Sequence, residues 1–440
     1  MTRHGRIGHP RLRTTSNRKE VGALRQGGHE DFVNVFGIPI MLRPGTFALT
    51  VLLAALSAIG PLTTDMYLPS LPDIARLLDA STAQAQLTIS SYLLGFAVGQ
   101  IFYGPLADRH GRKPVLLGAM ALYCAASLAC ALSTSIEMLI AARALQALGG
   151  SGGIVLARAI VRDLYSGARA GRELSLIGAV MALAPVLAPL LGGVLQTGFG
   201  WRSVFFTLVG GGLAGAAIVW PLMPETLALR AADPVSPATM FRSYRVVVRS
   251  SAYLAYLGLA STSFAGLFAW ISGSSFVLQY LYGLSAFQFG VAFAIGSVGY
   301  MGGTTLAARL VMRLGLDRTL GVGAAAMAAG GLGMVLAVAL ALTSAASLVL
   351  PMALYLAGLG MVLPQAIAGA MTPFPERAGA ASALLGFVQQ SGSALCGVLV
   401  GVLLGSTAWP LAAVVAVMGC ATLALWILTR AVSARAAKQH

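Results

Sequence analysis

The sequence predicts an all-α polytopic membrane protein in which twelve transmembrane helices form two pseudo-symmetric bundles of six. Two observations indicate this fold class. Hydrophobic residues make up 57% of the 440-residue chain and charged residues only 10%, whereas soluble domains contain about 25% charged residues. Apolar stretches of about 20 residues, enough to cross a bilayer as a helix, recur between residues 46 and 430. One water-soluble core could not bury so much apolar surface.

The apolar stretches give the helices in chain order. The expected spans cover residues 46–71, 85–107, 115–134, 136–159, 173–196, 202–222, 252–280, 287–308, 319–341, 346–370, 379–404 and 409–430. Residues 223–251 contain prolines and arginines, so we expect a cytoplasmic linker there, between a bundle at 46–222 and a bundle at 252–430. Two nearly equal halves, offset by about 200 residues, indicate an internal repeat.

The basic residues predict the topology. The net charge is +15, and all but three of the 29 Lys and Arg fall in segments that an inside N-terminus places in the cytoplasm. This is the positive-inside pattern, so the charge indicates cytoplasmic termini and not a nucleic-acid partner. Residues 1–45 are basic and lack the apolar core of a signal peptide, so we expect a disordered cytoplasmic tail, with 431–440 as a second tail. Met41 leaves a later natural start open.

Two ionisable residues lie well inside the spans, Asp65 in the first and Arg143 in the fourth. A charge at the centre of a membrane helix costs about 2.5–3.5 kcal/mol, so such residues point to function. At 1.5 Å per residue, Asp65 lies about 9 Å and Arg143 about 10 Å from the outer ends of their helices, so we expect similar depths. An adjacent guanidinium favours the ionised form of Asp65, whereas burial favours its protonated form. If Asp65 alternates between these two environments as access switches, it would carry a proton. A static ion pair that fixes packing is the alternative.

The most complete local motif joins the second and third spans. It reads GPLADRHGRKP at residues 104–114. The glycines permit a tight turn, the aspartate can accept hydrogen bonds from a helix N-terminus, and the basic residues hold the loop in the cytoplasm. With an acid at the inner end of span four, the motif residues of interest are Gly104, Asp108, Arg109, Gly111, Arg112, Lys113 and Asp163.

This loop resembles the signature G-x-L-A-D-R-x-G-R-K of the major facilitator superfamily, which residues 104–113 match throughout. The resemblance covers residues 46–430. It implies two six-helix bundles around a central cavity, a rocking alternation of access, and a loop that latches the bundles in the outward-facing state.

Three further motifs narrow the resemblance. RALQALG at 143–149 resembles the span-four motif of drug/proton antiporters, in which the arginine is implicated in proton coupling. APLLGG at 188–193 looks like the span-five motif G-P-x-x-G-G, with Ala188 in place of the first glycine. TDMYLPSLP at 64–72 is similar to the first-span motif of the Bcr/CflA drug-resistance transporters, which are bacterial inner-membrane proteins. The residues assigned to the antiporter motif are Pro185, Pro189, Gly192 and Gly193.

Aromatic and amide side chains within the spans suit the binding of moderately lipophilic compounds. For each of them, helix packing or an interfacial position is the alternative. The candidates for a substrate cavity are Tyr92, Phe96, Gln146, Phe264, Phe268, Trp270, Gln365 and Gln389.

Together these patterns predict a monomeric secondary transporter that exports hydrophobic small molecules or antibiotics in exchange for protons. The proton gradient supplies the energy, and no cofactor or metal is expected. The chain has no P-loop, HExxH or G-x-S-x-G in a plausible context, so we do not expect an enzyme. Proton-coupled import of a nutrient is an alternative that the span-five motif disfavours. A non-transporting receptor or scaffold is the third.

Overall fold

The computed structural model describes residues 46–165, 167–181, 183–227, 244–374 and 378–436. The predicted tail at 1–45, most of the linker and residues 437–440 lie outside the described part of the chain. The described residues form helices and no strand. The helices are α1 (Phe47–Asp65), α2 (Leu71–Leu77), α3 (Thr82–His110), α4 (Arg112–Ala131), α5 (Ile136–Leu164), α6 (Gly167–Met181), α7 (Ala184–Phe199), α8 (Arg202–Leu222), α9 (Ser251–Phe276), α10 (Ala286–Ala339), α11 (Ala346–Met371), α12 (Ala378–Leu403) and α13 (Trp409–Ala436).

Ten helices in the described ranges are long and apolar enough to cross a membrane, against the twelve predicted. Two features account for the difference. Helix α10 has 54 residues and is interrupted at Gly315, where φ is 79°. Its length is about 81 Å at 1.5 Å per residue, enough to cross a bilayer of about 30 Å twice. The predicted fifth span is divided between α6 and the shorter apolar helix α7. Counting α10 twice and α6 with α7 once would give twelve.

Prolines divide the first and fifth spans. The sequence predicts a first span that continues to residue 71, but α1 ends at Asp65 and a 3-10 turn at Leu68–Ser70 leads into α2. Pro69 and Pro72 lack the backbone N–H that would continue the helical ladder. Pro185, in the first turn of α7, breaks the fifth span for the same reason.

The second membrane span of each half begins in the same way. The Ser81 hydroxyl accepts a hydrogen bond from the backbone N–H of Gln84, whose side-chain oxygen accepts the N–H of Ser81. Ser285 and Gln288 repeat this capping box at the start of α10. Each box satisfies two donors that a helix N-terminus leaves free. The predicted internal repeat is thus visible in the local structure.

The two halves meet mainly where α3 packs against α12 and α7 packs against α10. The Ser297 hydroxyl of α10 donates to the Pro185 carbonyl oxygen of α7 at 2.8 Å. A Cβ atom added to Gly290 of α10 would lie 2.5 Å from the Pro189 carbonyl oxygen. The absence of a side chain at Gly290 is therefore what lets these two backbones approach so closely.

Three hydrogen bonds join the halves at the end that the charge pattern places outside the cell. We call them the outer clasp. They run from α9 and the π-helical turn after it (Val277–Leu281) to the segment that follows α1. The donors and acceptors are Ser275 Oγ to Leu68 O at 2.6 Å, Gln279 Nε2 to Pro69 O at 3.1 Å, and Tyr280 Oη to Pro72 O at 2.9 Å.

Candidate proton-coupling site and latch

The centre of the N-terminal half holds a buried cation. Arg143 lies on α5 and is fully buried. Its Nη1 donates to Gln146 Oε1 at 2.7 Å, from the next turn of the same helix, and to the Thr63 carbonyl oxygen of α1 at 3.3 Å. Gln146 Nε2 in turn donates to Ser127 Oγ of α4 at 2.8 Å. Three helices therefore position the guanidinium.

Aromatic rings complete the surroundings of Arg143. Its guanidinium carbon lies 4.3 Å from the ring centroid of Tyr92, 4.6 Å from that of Tyr67 and 5.9 Å from that of Phe205. A ring face attracts a cation through its quadrupole, and more strongly where water is excluded. The Nε and Nη2 atoms of Arg143 have no hydrogen-bond partner among the described residues. Amide, carbonyl and ring groups thus stabilise this charge, and two donor atoms stay available.

Asp65 is the last residue of α1 and is only 5% exposed. Within the described part of the chain, no salt bridge joins it to Arg143, and no hydrogen bond reaches its carboxyl group. The two residues nevertheless lie in one region, because Arg143 contacts the carbonyl of Thr63, two residues before Asp65. The alternative of a static ion pair between Asp65 and Arg143 is therefore not the arrangement in the described structure.

Hydroxyl groups tie this region together. Tyr67 Oη and Thr88 Oγ1 lie 2.7 Å apart, as do Tyr123 Oη and Thr63 Oγ1. The sequence alone does not distinguish Tyr67, Tyr123 or Phe205, because an aromatic residue in an apolar span resembles any core residue. Tyr67 carried one usable signal: it lies two residues after Asp65 in the TDMYLPSLP motif.

The GPLADRHGRKP loop forms a cluster of charges at the cytoplasmic end predicted by the topology. The buried Arg112 side chain contacts Asp108 through Nη1 at 2.6 Å and Asp163 through Nε at 2.8 Å. Glu225, after α8, accepts hydrogen bonds from the backbone N–H groups of Arg112 at 2.9 Å and Lys113 at 3.2 Å. The sequence suggests that Asp108 accepts hydrogen bonds from a helix N-terminus. In the structure Glu225 accepts those of the α4 N-terminus, and Asp108 pairs with Arg112 instead.

The remaining loop residues have simpler surroundings. Gly111 adopts a φ of 101°, a conformation that favours glycine, at the junction of α3 and α4. Arg109 is exposed, Lys113 is half-buried, and a Cβ on Gly104 would meet no atom within 4 Å. The ion pairs given above for the loop all lie within the N-terminal half.

Comparison with known proteins decides the family. Residues 51–397 match the model of the Major Facilitator Superfamily. A bicyclomycin resistance protein homolog of Haemophilus influenzae is 32% identical over 84% of this chain and 92% of its own length. Multidrug resistance protein D of Escherichia coli is 32% identical over 88% and 97%. The chain belongs to the major facilitator superfamily.

A solved structure agrees with this family at the level of the fold. The partially occluded, inward-open xylose transporter XylE of E. coli superposes with a TM-score of 0.67 over 87% of this chain and 96% of its own, at 14% sequence identity. The family-model match and the relatives confirm the predicted family, and this major facilitator is a multi-pass membrane transporter.

The span-five motif of this major facilitator lies between the buried charges and the other half. Gly192 of α7 packs against the Met66 carbonyl oxygen, just after Asp65. On Gly193, a Cβ atom would lie 2.8 Å from the Ala286 carbonyl oxygen of α10. Pro185 and Pro189 provide the carbonyl groups that meet α10. The motif thus contacts both the first span and the C-terminal half.

The candidate cavity residues of this major facilitator fall into two groups. Tyr92 stacks on Phe96 with ring centroids 6.0 Å apart, and Tyr92 and Gln146 both contact Arg143. In the C-terminal half, Phe264 and Phe268 have ring centroids 4.9 Å apart. There Gln389 Nε2 donates to the Ala260 carbonyl oxygen at 3.5 Å, Trp270 is buried and Gln365 is half-buried. Their role in binding substrate stays a prediction.

Proposed function

We propose that this transporter exports antibiotics and other hydrophobic small molecules from a bacterial cell in exchange for protons, by alternating access. The resistance functions in the names of its relatives support the substrate class. One observation carries the coupling: Arg143 is buried without a carboxylate partner, while the buried Asp65 lies two residues from the carbonyl that Arg143 contacts.

The described arrangement suits a proton-loaded Asp65. An ionised carboxylate that is buried without a partner is strongly disfavoured, whereas a protonated carboxyl removes the charge. Arg143 Nη1 meanwhile donates to Gln146 and to the Thr63 carbonyl oxygen, and the Tyr67 and Tyr92 rings lie against the guanidinium. In this state Asp65 is neutral, and the charge of Arg143 does not depend on it.

Loss of that proton would give Arg143 a new partner. Its Nε and Nη2 atoms are the donors without a hydrogen bond in the described structure. A carboxylate can accept two parallel hydrogen bonds from a guanidinium, which are stronger than bonds between neutral groups. Deprotonated Asp65 would therefore move toward Arg143, and the local rearrangement would accompany the change of access.

The conformation agrees with a GPLADRHGRKP loop that latches the two halves only in the outward-facing state. The outer clasp closes the outer side in this structure. The loop meanwhile pairs Arg112 with Asp108 and Asp163 of its own half. On the proposed cycle, the loop would engage the C-terminal half when the outer side opens.

The remaining features of the proposal follow from the topology and the family. The transporter acts as a monomer in the inner membrane, with both termini in the cytoplasm. Lipids, protons and a drug-like substrate are its partners, and the proton gradient drives it without a cofactor.

Drug accumulation in an efflux-deficient bacterium tests the proposal. Cells that express the chain should accumulate less drug, and either an uncoupler or Asp65→Asn should abolish the difference. Glu137→Gln is the matched control, because Glu137 is an exposed acid at the start of α5. Full gradient-driven efflux by Asp65→Asn would contradict the assignment of the coupling acid. Uptake that rises with external acidity would indicate a nutrient importer instead.

A further inference from the structure

The TDMYLPSLP motif carries Asp65, and it also contains the break in the first membrane span. Pro72 has no backbone N–H, so the Leu68 carbonyl oxygen lacks the donor that a continuing α-helix would supply four residues on. It accepts the Leu71 N–H in a 3-10 turn and also the Ser275 hydroxyl of the other half at 2.6 Å. We call residues Leu68–Pro72 the outer turn. The main-chain oxygens of Leu68, Pro69 and Pro72 accept hydrogen bonds from the C-terminal half.

The C-terminal half presents donors to the outer turn through a second irregular segment. Helix α9 widens into a π-helical turn at Val277–Leu281. Such turns often occur at functional sites. Gln279 and Tyr280 lie in this turn, and their side chains donate to the Pro69 and Pro72 carbonyl oxygens. Gln279 Nε2 also donates to Ser275 Oγ at 2.8 Å, which links two of the three donors.

The residue before the outer turn lies against the buried cation. Tyr67 is fully buried, and its ring centroid is 4.6 Å from the Arg143 guanidinium. Its hydroxyl is anchored 2.7 Å from Thr88 Oγ1 of α3. Tyr67 is covalently joined to Leu68, so a displacement of its ring moves the first acceptor of the outer clasp. The Arg143 site and the clasp are thus joined by one short stretch of chain.

We propose that Tyr67 is a positioning residue that couples the partner of Arg143 to the opening of the outer clasp. While Arg143 contacts the Tyr67 ring, the outer turn stays in register with Ser275, Gln279 and Tyr280. When Arg143 turns to another partner, Tyr67 is released, the outer turn shifts and the clasp opens. This inference rests on the proposed function in one respect, because the alternative partner of Arg143 is the deprotonated Asp65 proposed there.

Thiol labelling from the outside measures clasp opening. The four natural cysteines (Cys124, Cys130, Cys396 and Cys420) are replaced by Ala, and Gln86→Cys supplies a reporter. Gln86 lies on α3, is fully buried and packs against Gly401 of α12 in the other half. A membrane-impermeant maleimide should label the reporter only when the outer side opens.

Removing one clasp bond should speed this labelling. A net hydrogen bond shifts an equilibrium about two- to tenfold, so Tyr280→Phe should raise the labelling rate by a factor in that range. Tyr282→Phe is the matched control, because Tyr282 lies two residues on without a described bond to the other half. Equal labelling in Tyr280→Phe and the control would overturn the role of the clasp.

The coupling role is tested at Tyr67 itself. Tyr67→Leu removes the ring and should raise labelling, whereas Tyr67→Phe keeps the ring over Arg143 and should restore most of the slow rate. Arg143→Lys should change labelling when residue 67 is Tyr or Phe and have no further effect when it is Leu. Independent effects of Arg143→Lys and Tyr67→Leu would overturn the proposal. Because labelling needs no transport, this result is distinct from failure of drug export.

Discussion

At the scale of single residues, the guanidinium of Arg143 shows how a charge survives inside the membrane. Its acceptors are one amide and one carbonyl, and ring faces cover its plane. Arginine suits this site better than lysine, because a flat, delocalised cation can stack on rings while its edge donates hydrogen bonds. The same geometry makes Gln146 essential, since it provides the shorter of the two acceptor contacts.

Gln146→Leu should therefore destabilise the protein. Leaving a buried donor without its partner costs about 1–3 kcal/mol, and more for a charged group. Thermal unfolding in detergent should show a lower Tm than for the parent. Gln365→Leu is the control, because Gln365 is half-buried and the structure describes no hydrogen bond from it. An unchanged Tm for Gln146→Leu would show that Arg143 finds another acceptor.

Charged partners at the loop should differ in their effect on stability. The side chain of Asp163 is 17% exposed and that of Asp108 is 43% exposed, and both pair with the buried side chain of Arg112. Exposed ion pairs contribute about 0.2–1 kcal/mol, and buried charges depend more on their partners. Asp163→Asn should lower the Tm more than Asp108→Asn. The reverse order in thermal unfolding would show that Asp108 stabilises Arg112 more than Asp163 does.

At the scale of helices, the sequence predicted where spans lie better than where they break. Hydropathy averages over about 20 residues, so it does not register a single missing N–H at Pro72 or Pro185. The coupling candidates were visible because a charge contrasts with an apolar span. The contact of Phe205 with Arg143 was not, because only the fold brings α8 to α5.

Close packing between α7 and α10 gives a prediction at this scale. A Cβ on Gly290 would lie 2.5 Å from the Pro189 carbonyl oxygen, so Gly290→Ala should force the halves apart locally and reduce drug export severalfold. Gly302→Ala is the control on the same helix, because its added Cβ would meet no atom within 4 Å. Equal export by both variants, at equal membrane levels, would show that the interface adapts.

At the scale of the whole molecule, the two halves share a fold but divide the work. The buried cation and the GPLADRHGRKP loop lie in the N-terminal half, whereas the donors of the outer clasp come from α9 and its π-helical turn. The capping boxes at Ser81 and Ser285 preserve the repeat. The proposed proton-driven cycle therefore requires communication between unlike halves.

Transport direction is tested on the whole molecule in everted membrane vesicles, whose interior corresponds to the cell exterior. An acidic interior should drive drug into the vesicles, because protons leaving through Asp65 exchange for drug entering. Reversing the pH gradient should stop accumulation, and Asp65→Asn should remove the response to either gradient. Accumulation that needs an alkaline interior would instead indicate symport.

Mutation can remove the donors of the outer clasp but not its acceptors. Its donors are side chains, so codon changes at Ser275, Gln279 or Tyr280 can delete them one at a time. Its acceptors are main-chain oxygens, which every amino acid possesses. Selection for altered opening should therefore recover variants in the C-terminal half far more readily than at Leu68, where a replaced side chain leaves the same oxygen in place.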